Sequence, residues 1–297
     1  MKHYLYTILT LALIVVGCQQ SRNEELYTPE QRGPQFHASF EENTRTYVNE
    51  DIKLRWHAED QITLFVGSTL NKQYQFDGET GDNAGYFSDI STPAFGAGNA
   101  VDRHYAVYPY DSSIKLSEEG ALTVTFPKEQ QYAEGSFGRG ANLMVATTAN
   151  TSDYNLMFRN VGSYLRLRLW GDNQTIKSIM VTSLGEEAIA GKATVTPQYN
   201  ADPTCVMTGS EKSVTLTCEQ SVKVSSSEDA PTEFWIVLPP VTLAQGFTVE
   251  VCNESGGTQL FNVDKSFIFE RNKYYSLTRE LSIESNATPP NDEIWYS

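Results

Sequence analysis

Few residues in this sequence have the types and spacing that chemistry needs. Four histidines occur in 297 residues, and those in the body of the chain (His37, His57 and His104) are not spaced as metal ligands. The segment 135–140 is rich in glycine but lacks the strand-to-helix context of a phosphate-binding loop, and no Gly-x-Ser-x-Gly elbow offers a serine nucleophile. Asp77–Asp82 holds several carboxylates without the spacing of a calcium-binding loop. The sequence therefore predicts no catalytic site, no metal site and no cofactor.

The tryptophans are the other candidates for a binding role, because an aromatic face can stack on a sugar ring. Trp56 and Trp235 lie in phase with apolar neighbours, so we expect both in the core. Trp170 lies on the face of an alternating segment opposite Leu165 and Leu167, at a domain interface or on the surface. Trp170 is therefore the candidate glycan contact.

The charge of the chain excludes one class of partner. The 37 acidic residues outnumber the 22 basic ones, which gives a formal net charge of −15. Such a chain is repelled by phosphate backbones, so we expect no nucleic-acid partner. The 40% of hydrophobic residues is enough for a packed core.

Residues 1–17 have the pattern of an export signal. The apolar run Tyr4–Val16 is shorter than the roughly 20 residues of a membrane-spanning helix, and it fits the hydrophobic region of a secretory signal. Its ending, Val15-Val16-Gly17-Cys18, resembles the lipobox of bacterial lipoproteins, in which the cysteine is lipidated. The alternative is an ordinary signal peptide with an incidental cysteine. Cys18 is thus the candidate lipid anchor, and residues 18–35 form a polar tether.

The remaining cysteines leave two alternatives open. Export permits disulfides, and Cys205 with Cys218 could close a short loop, leaving Cys252 unpaired. Three free, buried thiols are the other alternative.

Alternation with a period of two indicates β structure along most of the chain. Helical periodicity is nowhere sustained over three turns, and the length exceeds that of one small sandwich. We predict an all-β protein with two β domains, 36–160 and 161–284, and a tail at 285–297. The predicted strands are Phe36–Phe40, Ile52–Trp56, Ile62–Val66, Tyr86–Ile90, Tyr105–Tyr110, Leu122–Phe126, Leu143–Thr147, Tyr164–Trp170, Ile176–Thr182, Val214–Thr217, Phe234–Leu238, Phe247–Cys252, Phe267–Phe269 and Tyr274–Thr278.

An ordered series of short motifs from Phe36 to Leu281 resembles the fimbrillin family, exported lipoproteins of Gram-negative anaerobes. The motifs begin at Thr44, Trp56, Asp60, Tyr105, Phe126, Gln131, Leu143, Leu156, Ala190, Pro231, Gly246 and Arg271. The resemblance implies two tandem transthyretin-like β-sandwich domains and a fimbrial subunit or fimbria-associated adhesin. It implies a surface-exposed protein held at the outer membrane by its lipid, or released into fimbriae after processing. Its partners would be other fimbrial subunits and a receptor or glycan on a host or bacterial surface.

The resemblance also implies how subunits join. A trypsin-like protease removes the N-terminal strand after an arginine, and a strand of the next subunit fills the groove that opens. Arg45 is the candidate processing site by its distance from Cys18, although its alternating segment Thr44–Val48 can equally be structural. The tail has a Pro289-Pro290 interruption and also resembles the start of a linker. The candidate donor strand consists of Ile294, Trp295 and Tyr296.

A second hypothesis is a glycan-binding outer-surface lipoprotein for nutrient capture; an enzyme is a third, without a supporting constellation. The glycan hypothesis predicts polysaccharide binding that falls when Trp170 is replaced by Ala, because stacking area is lost. A glycan array read with the parent and Trp170→Ala proteins checks this. The absence of binding across the array would contradict it.

Overall fold

The computed structural model describes residues 33–41, 54–91 and 98–284. Over these ranges the chain forms strands and no helix, hence none long and apolar enough to cross a membrane. The all-β prediction is confirmed. The strands are β1 (Phe36–Phe40), β2 (Gln61–Phe65), β3 (Asn71–Phe76), β4 (Ala84–Asp89), β5 (Tyr105–Tyr108), β6 (Lys115–Leu116), β7 (Leu122–Phe126), β8 (Glu129–Ala133), β9 (Ser136–Phe137), β10 (Met144–Thr147), β11 (Asn155–Asn160), β12 (Ser163–Trp170), β13 (Thr175–Ser183), β14 (Gly191–Gln198), β15 (Ala201–Met207), β16 (Ser213–Lys223), β17 (Thr232–Leu238), β18 (Val241–Leu243), β19 (Phe247–Asn253), β20 (Thr258–Val263), β21 (Phe267–Phe269) and β22 (Tyr274–Glu280).

Strand β1 closes a β-barrel. The strands of this barrel have the order β1-β11-β10-β5-β2-β3-β4, and β4 pairs with β1. Buried aromatic side chains fill the interior, among them Trp56, Phe76, Phe87 and Phe158. Aromatic rings bury large areas, so this core is a major source of the barrel's stability.

Three strands of the barrel are buried on both faces, which explains their nearly continuous apolar runs. In β5, Ala106 and Tyr108 belong to the barrel interior, whereas Tyr105 and Val107 contribute to a second cluster outside it. That second cluster also contains buried residues of β7 and β14. The four-stranded sheet β15-β14-β7-β6 therefore packs against the outside of the barrel.

The remaining core lies between two sheets, as in a β-sandwich. One sheet has the order β17-β12-β22 and the other β20-β19-β13-β16-β8-β9. The alternating leucines of β12 (Leu165, Leu167 and Leu169) are buried in the same cluster as Ile179 and Val251 from the opposite sheet. This alternation is what makes one face of β12 apolar.

Strands from either side of residue 160 pair with one another. β7 pairs antiparallel with β14, and β8 pairs parallel with β16. The division into domains near Phe158–Gly162 stays a prediction.

The expected strand at Ile52–Trp56 is wrong in its described part. Residues 51–53 lie outside the described ranges, and Leu54–His57 are not in a strand. The backbone N–H of Trp56 donates to the Asp82 carbonyl, and the backbone carbonyl of Trp56 accepts from the Gly81 N–H. Trp56 and Trp235 are buried, so their prediction as core residues is confirmed.

Several strands were not expected from the sequence, notably β3, β8, β11, β14, β15 and β20. β3 (Asn-Lys-Gln-Tyr-Gln-Phe) buries only Tyr74 and Phe76. With two buried side chains among glutamines, the hydrophobic alternation is too weak to identify such a strand. Neighbouring strands supply its hydrogen bonds instead.

Two glycines with the same backbone conformation allow a matched test of packing. Gly246 has φ +82° and Gly256 has φ +83°, so alanine at either position costs about 1–2 kcal/mol of strain. At Gly246 a Cβ would also overlap the carbonyl oxygen of Val263, whereas at Gly256 it would meet nothing within 4 Å. We expect Gly246→Ala to lower the free energy of unfolding by at least about 1 kcal/mol more than Gly256→Ala. Urea unfolding of both variants measures this, and equal losses would contradict it.

Candidate functional site

The strand β1 lies between two neighbours whose backbone hydrogen bonds it completes. It runs parallel to β11, with His37 opposite Asn155, and antiparallel to β4, with His37 opposite Tyr86. The His37 N–H donates to the Tyr154 carbonyl at 2.9 Å. Without β1, the facing edges of β4 and β11 would both present unpaired N–H and C=O groups.

The inward side chains of β1 are part of the barrel core. Phe36 and Ala38 are fully buried, and Phe40 stacks on Trp56 with ring centroids 4.5 Å apart. Phe36 also makes edge-on contacts with Tyr74 at 5.7 Å. Burying a side chain such as Phe36 contributes about 1.5–3 kcal/mol. The space that β1 occupies is thus an apolar groove.

One wall of this groove contains a buried histidine. The edge of Phe36 meets the His104 ring at 5.0 Å, and Tyr154 stacks on that ring at 5.6 Å. His104 Nε2 lies 3.0 Å from the Thr151 carbonyl oxygen, which can only accept, so Nε2 carries the proton. Burial lowers the pKa of His104, and the Thr151 carbonyl and the Asp153 charge oppose the shift only partly. The groove therefore favours the neutral imidazole.

An ion-pair cluster fixes the end of β1. Glu41 directly follows the strand, and its N–H donates to the Phe158 carbonyl at 2.8 Å. Glu41 Oε1 accepts from Arg271 Nη1 at 2.8 Å and from the Asn160 N–H at 2.9 Å. Glu41 Oε2 accepts from Arg159 Nη1 at 3.2 Å. One carboxylate thus joins β1 to β11 and to the turn before β22.

A second carboxylate completes this cluster from outside. Asp202 Oδ1 accepts from Arg271 Nη2 at 2.6 Å and lies 3.4 Å from Arg159 Nη1. Arg271 Nη1 also donates to the Asn160 carbonyl at 2.8 Å. Burial by itself lowers the pKa of Arg271, but its hydrogen bonds and ion pairs with Glu41 and Asp202 outweigh this and raise it. Arg271 is therefore held in the charged form.

A family model described as fimbrillin-like matches residues 44–291. The chain belongs to the fimbrillin-like family. Fimbrial and adhesion proteins make up this family, and catalysis is not among its known roles. Membership implies a cell-surface appendage and association with other fimbrial subunits.

Solved structures of surface proteins are similar to this fimbrillin-like chain over most of its length. A candidate cell adhesion protein from Bacteroides uniformis ATCC 8492 is 17% identical, with a TM-score of 0.45, over 87% of this chain and 99% of that one. One from Bacteroides ovatus ATCC 8483 is 14% identical, with a TM-score of 0.46, over 84% and 96%. The tip fimbrial protein Mfa3 from Porphyromonas gingivalis, with C-terminal truncation, is 8% identical, with a TM-score of 0.31, over 82% and 94%. No curated protein matches the chain.

The residues singled out from the sequence have different places in the fimbrillin-like chain. Trp170 is the half-buried last residue of β12, and its carbonyl accepts from the Leu281 N–H at 2.7 Å. It lies in a different sheet from β1. The other candidates, Cys18, Arg45, Ile294, Trp295 and Tyr296, lie outside the described residues.

The charged cluster at the end of β1 was missed from the sequence. Arg159 and Arg271 belong to segments that carried the family resemblance, but no role was assigned to either. Glu41 is 118 residues from Arg159 and 230 from Arg271. Such separations leave no spacing signal, so only the folded chain of this fimbrillin-like protein reveals the cluster.

Of the two alternatives for the cysteines of this fimbrillin-like chain, a Cys205–Cys218 disulfide or three free thiols, the structure has the free thiols. Cys205, Cys218 and Cys252 are free. Burial raises the pKa of Cys205 to about 12 and that of Cys218 to about 11, which disfavours their reactive thiolate forms. Among the residues that the structure describes, no group of three or more His, Cys, Asp or Glu could hold a metal ion.

The environment of His104 predicts a pH dependence of stability. Its pKa is lowered in the folded state, so the stabilisation is complete above the unfolded value of about 6.5 and is lost as the pH falls below it. We expect the free energy of unfolding to fall between pH 7.5 and pH 5.5, with this histidine contributing at most about 1.4 kcal/mol per pH unit. His104→Gln should reduce the slope, as measured by urea unfolding across that range. A variant as pH-dependent as the parent would contradict this assignment.

Proposed function

We propose that this chain is a fimbrial subunit or fimbria-associated adhesin that assembles by strand exchange at the groove of β1. The observation that carries the proposal is the position of β1 in the wall of the barrel, paired on both edges and buried along one face. A strand in this position can be replaced only by another strand, since both backbone edges and the apolar groove must be filled.

Removal of β1 requires a cut in the chain that follows it. Arg45 lies four residues after Glu41, in the segment 42–53 that connects β1 to the rest of the barrel. Cleavage after Arg45 by a trypsin-like protease would detach the whole of β1 from the rest of the chain, so that a donor strand could displace it. Cleavage after Arg55 would fall next to Trp56, whose side chain is buried in the barrel. This difference favours Arg45 as the processing site.

Export and anchoring precede this step in the proposal. Cys18 would receive the lipid and hold the chain at the outer membrane, with several acyl chains giving a stable anchor. Cleavage after Arg45 would separate the lipidated segment from the rest of the chain, allowing its release into a fimbria. Uncleaved protein would stay at the membrane.

The donor that refills the groove is proposed to come from the tail of a neighbouring subunit. Ile294, Trp295 and Tyr296 provide the apolar residues of that tail. Insertion of one subunit's tail into the next is a head-to-tail contact, which builds filaments when the rotation does not close.

The proposal predicts that cleavage produces polymers. We expect the parent protein, treated with an arginine-specific protease, to start at Thr46 and to form polymers that resist SDS without heating. Arg45→Ala should stay uncleaved there and monomeric, because its groove remains filled. N-terminal sequencing and unheated SDS gels measure both outcomes.

Two control variants sharpen this experiment. Arg55→Ala removes another exposed arginine of the same region and should polymerise like the parent. Serine at Ile294, Trp295 and Tyr296 should leave cleavage intact but abolish polymers. A parent protein that is cleaved after Arg45 and yet migrates only as a monomer would contradict strand exchange.

A further inference from the structure

The end of the groove next to Glu41 contains charged side chains, whereas the rest of the groove is apolar. Two guanidinium groups, Arg159 and Arg271, face two carboxylates, Glu41 and Asp202. The side chains of Arg159, Arg271 and Glu41 are 18%, 17% and 6% exposed, whereas that of Asp202 is 65% exposed. Glu41 is therefore the buried partner of both arginines, and Asp202 is a solvated one.

Release of β1 would unbalance this cluster. Glu41 precedes Arg45 in the sequence, so a cut after Arg45 removes the carboxylate together with the strand. Among the residues that the structure describes, Arg159 and Arg271 would keep only Asp202 as a charged partner, along with the Asn160 carbonyl for Arg271. Removing one partner of a buried ion pair strongly destabilises the folded protein, because the other charge stays buried without compensation. The empty groove would thus be locally positive, in a chain whose net charge is −15.

We propose that the segment replacing β1 in an assembled fimbria carries an aspartate or glutamate at the position of Glu41. This inference rests on the strand exchange proposed above and defines the chemistry of the donor. Beside this carboxylate the donor presents apolar side chains to the groove, as β1 does with Phe36, Ala38 and Phe40. Its carboxylate then lies beside the Asn160 N–H and bridges the two arginines.

The carboxylate would also set the register of the donor. A slip of one residue turns every apolar side chain out of the groove, so the apolar pattern alone excludes it. A slip of two residues keeps the alternation intact. Such a slip carries the acid about two residues, roughly 7 Å, away from Arg159 and Arg271. The ion pairs therefore discriminate where hydrophobic alternation does not.

Peptide exchange into a nicked full chain tests the inference. A chain with Cys18→Ala and a site-specific protease sequence inserted after Arg45 is cleaved, which leaves β1 seated but no longer covalently attached. Fluorescent peptides spanning residues 35–43 then compete with β1, and fluorescence anisotropy gives their affinity. Four peptides are compared: the parent, Glu41→Gln, Glu42→Gln, and the double substitution Glu41→Gln with Asn43→Glu.

We expect Glu41→Gln to weaken binding at least about tenfold, the range for loss of hydrogen bonds between charged groups. The Glu42→Gln peptide has the same net charge as the Glu41→Gln peptide, but it keeps Glu41 and should bind like the parent peptide. The double substitution restores the parent's net charge two residues away and should bind as weakly as Glu41→Gln. In a nicked chain with Arg271→Gln, the difference between Glu41→Gln and Glu42→Gln should shrink to about threefold or less.

The outcomes separate this inference from the function on which it rests. Equal affinities of the parent, Glu41→Gln and double-substituted peptides would overturn the carboxylate requirement while leaving strand exchange in place. A parent peptide that does not enter the groove at all would overturn strand exchange itself, and the donor chemistry with it.

Discussion

The rest of this structure depends on one constraint: the short strand β1 supplies the backbone hydrogen bonds of two strand edges, those of β4 and β11. β4 and β11 belong to one barrel only because β1 lies between them, parallel to one and antiparallel to the other. A barrel has no open edges, and its aromatic core is enclosed for the same reason. Phe36 and Ala38 join that core from β1, the strand that precedes the proposed processing site Arg45 in the sequence.

The charged cluster adds a polar constraint to this apolar one. Glu41 extends β1 by one residue into contact with β11 and with the turn before β22. Because this turn lies in the last described part of the chain, Glu41 ties the first strand to the C-terminal region. Charged hydrogen bonds of this kind are directional and more specific than hydrophobic contact. The site that β1 occupies is therefore charged at one end and apolar along its length.

Local patterns explain how much of this fold could be read from the sequence. β1 and β7 have the bounds that their alternation predicts, because the side-chain pattern of each strand reports one buried face. β3 was missed because its glutamines hide that pattern. The expected strand through Trp56 was wrong, since the tryptophan is buried from a loop hydrogen-bonded to Gly81 and Asp82. Burial alone does not specify strand geometry.

By itself, the sequence determined the all-β class, the core positions of Trp56 and Trp235, the net negative charge and the order of motifs that marks the family. These features depend on residue type and on neighbours a few positions away. Only the tertiary structure decided which strands flank β1 and which charges meet at its end. Glu41 and Arg271 are 230 residues apart, and the contact between them follows from strand pairing that no local pattern encodes.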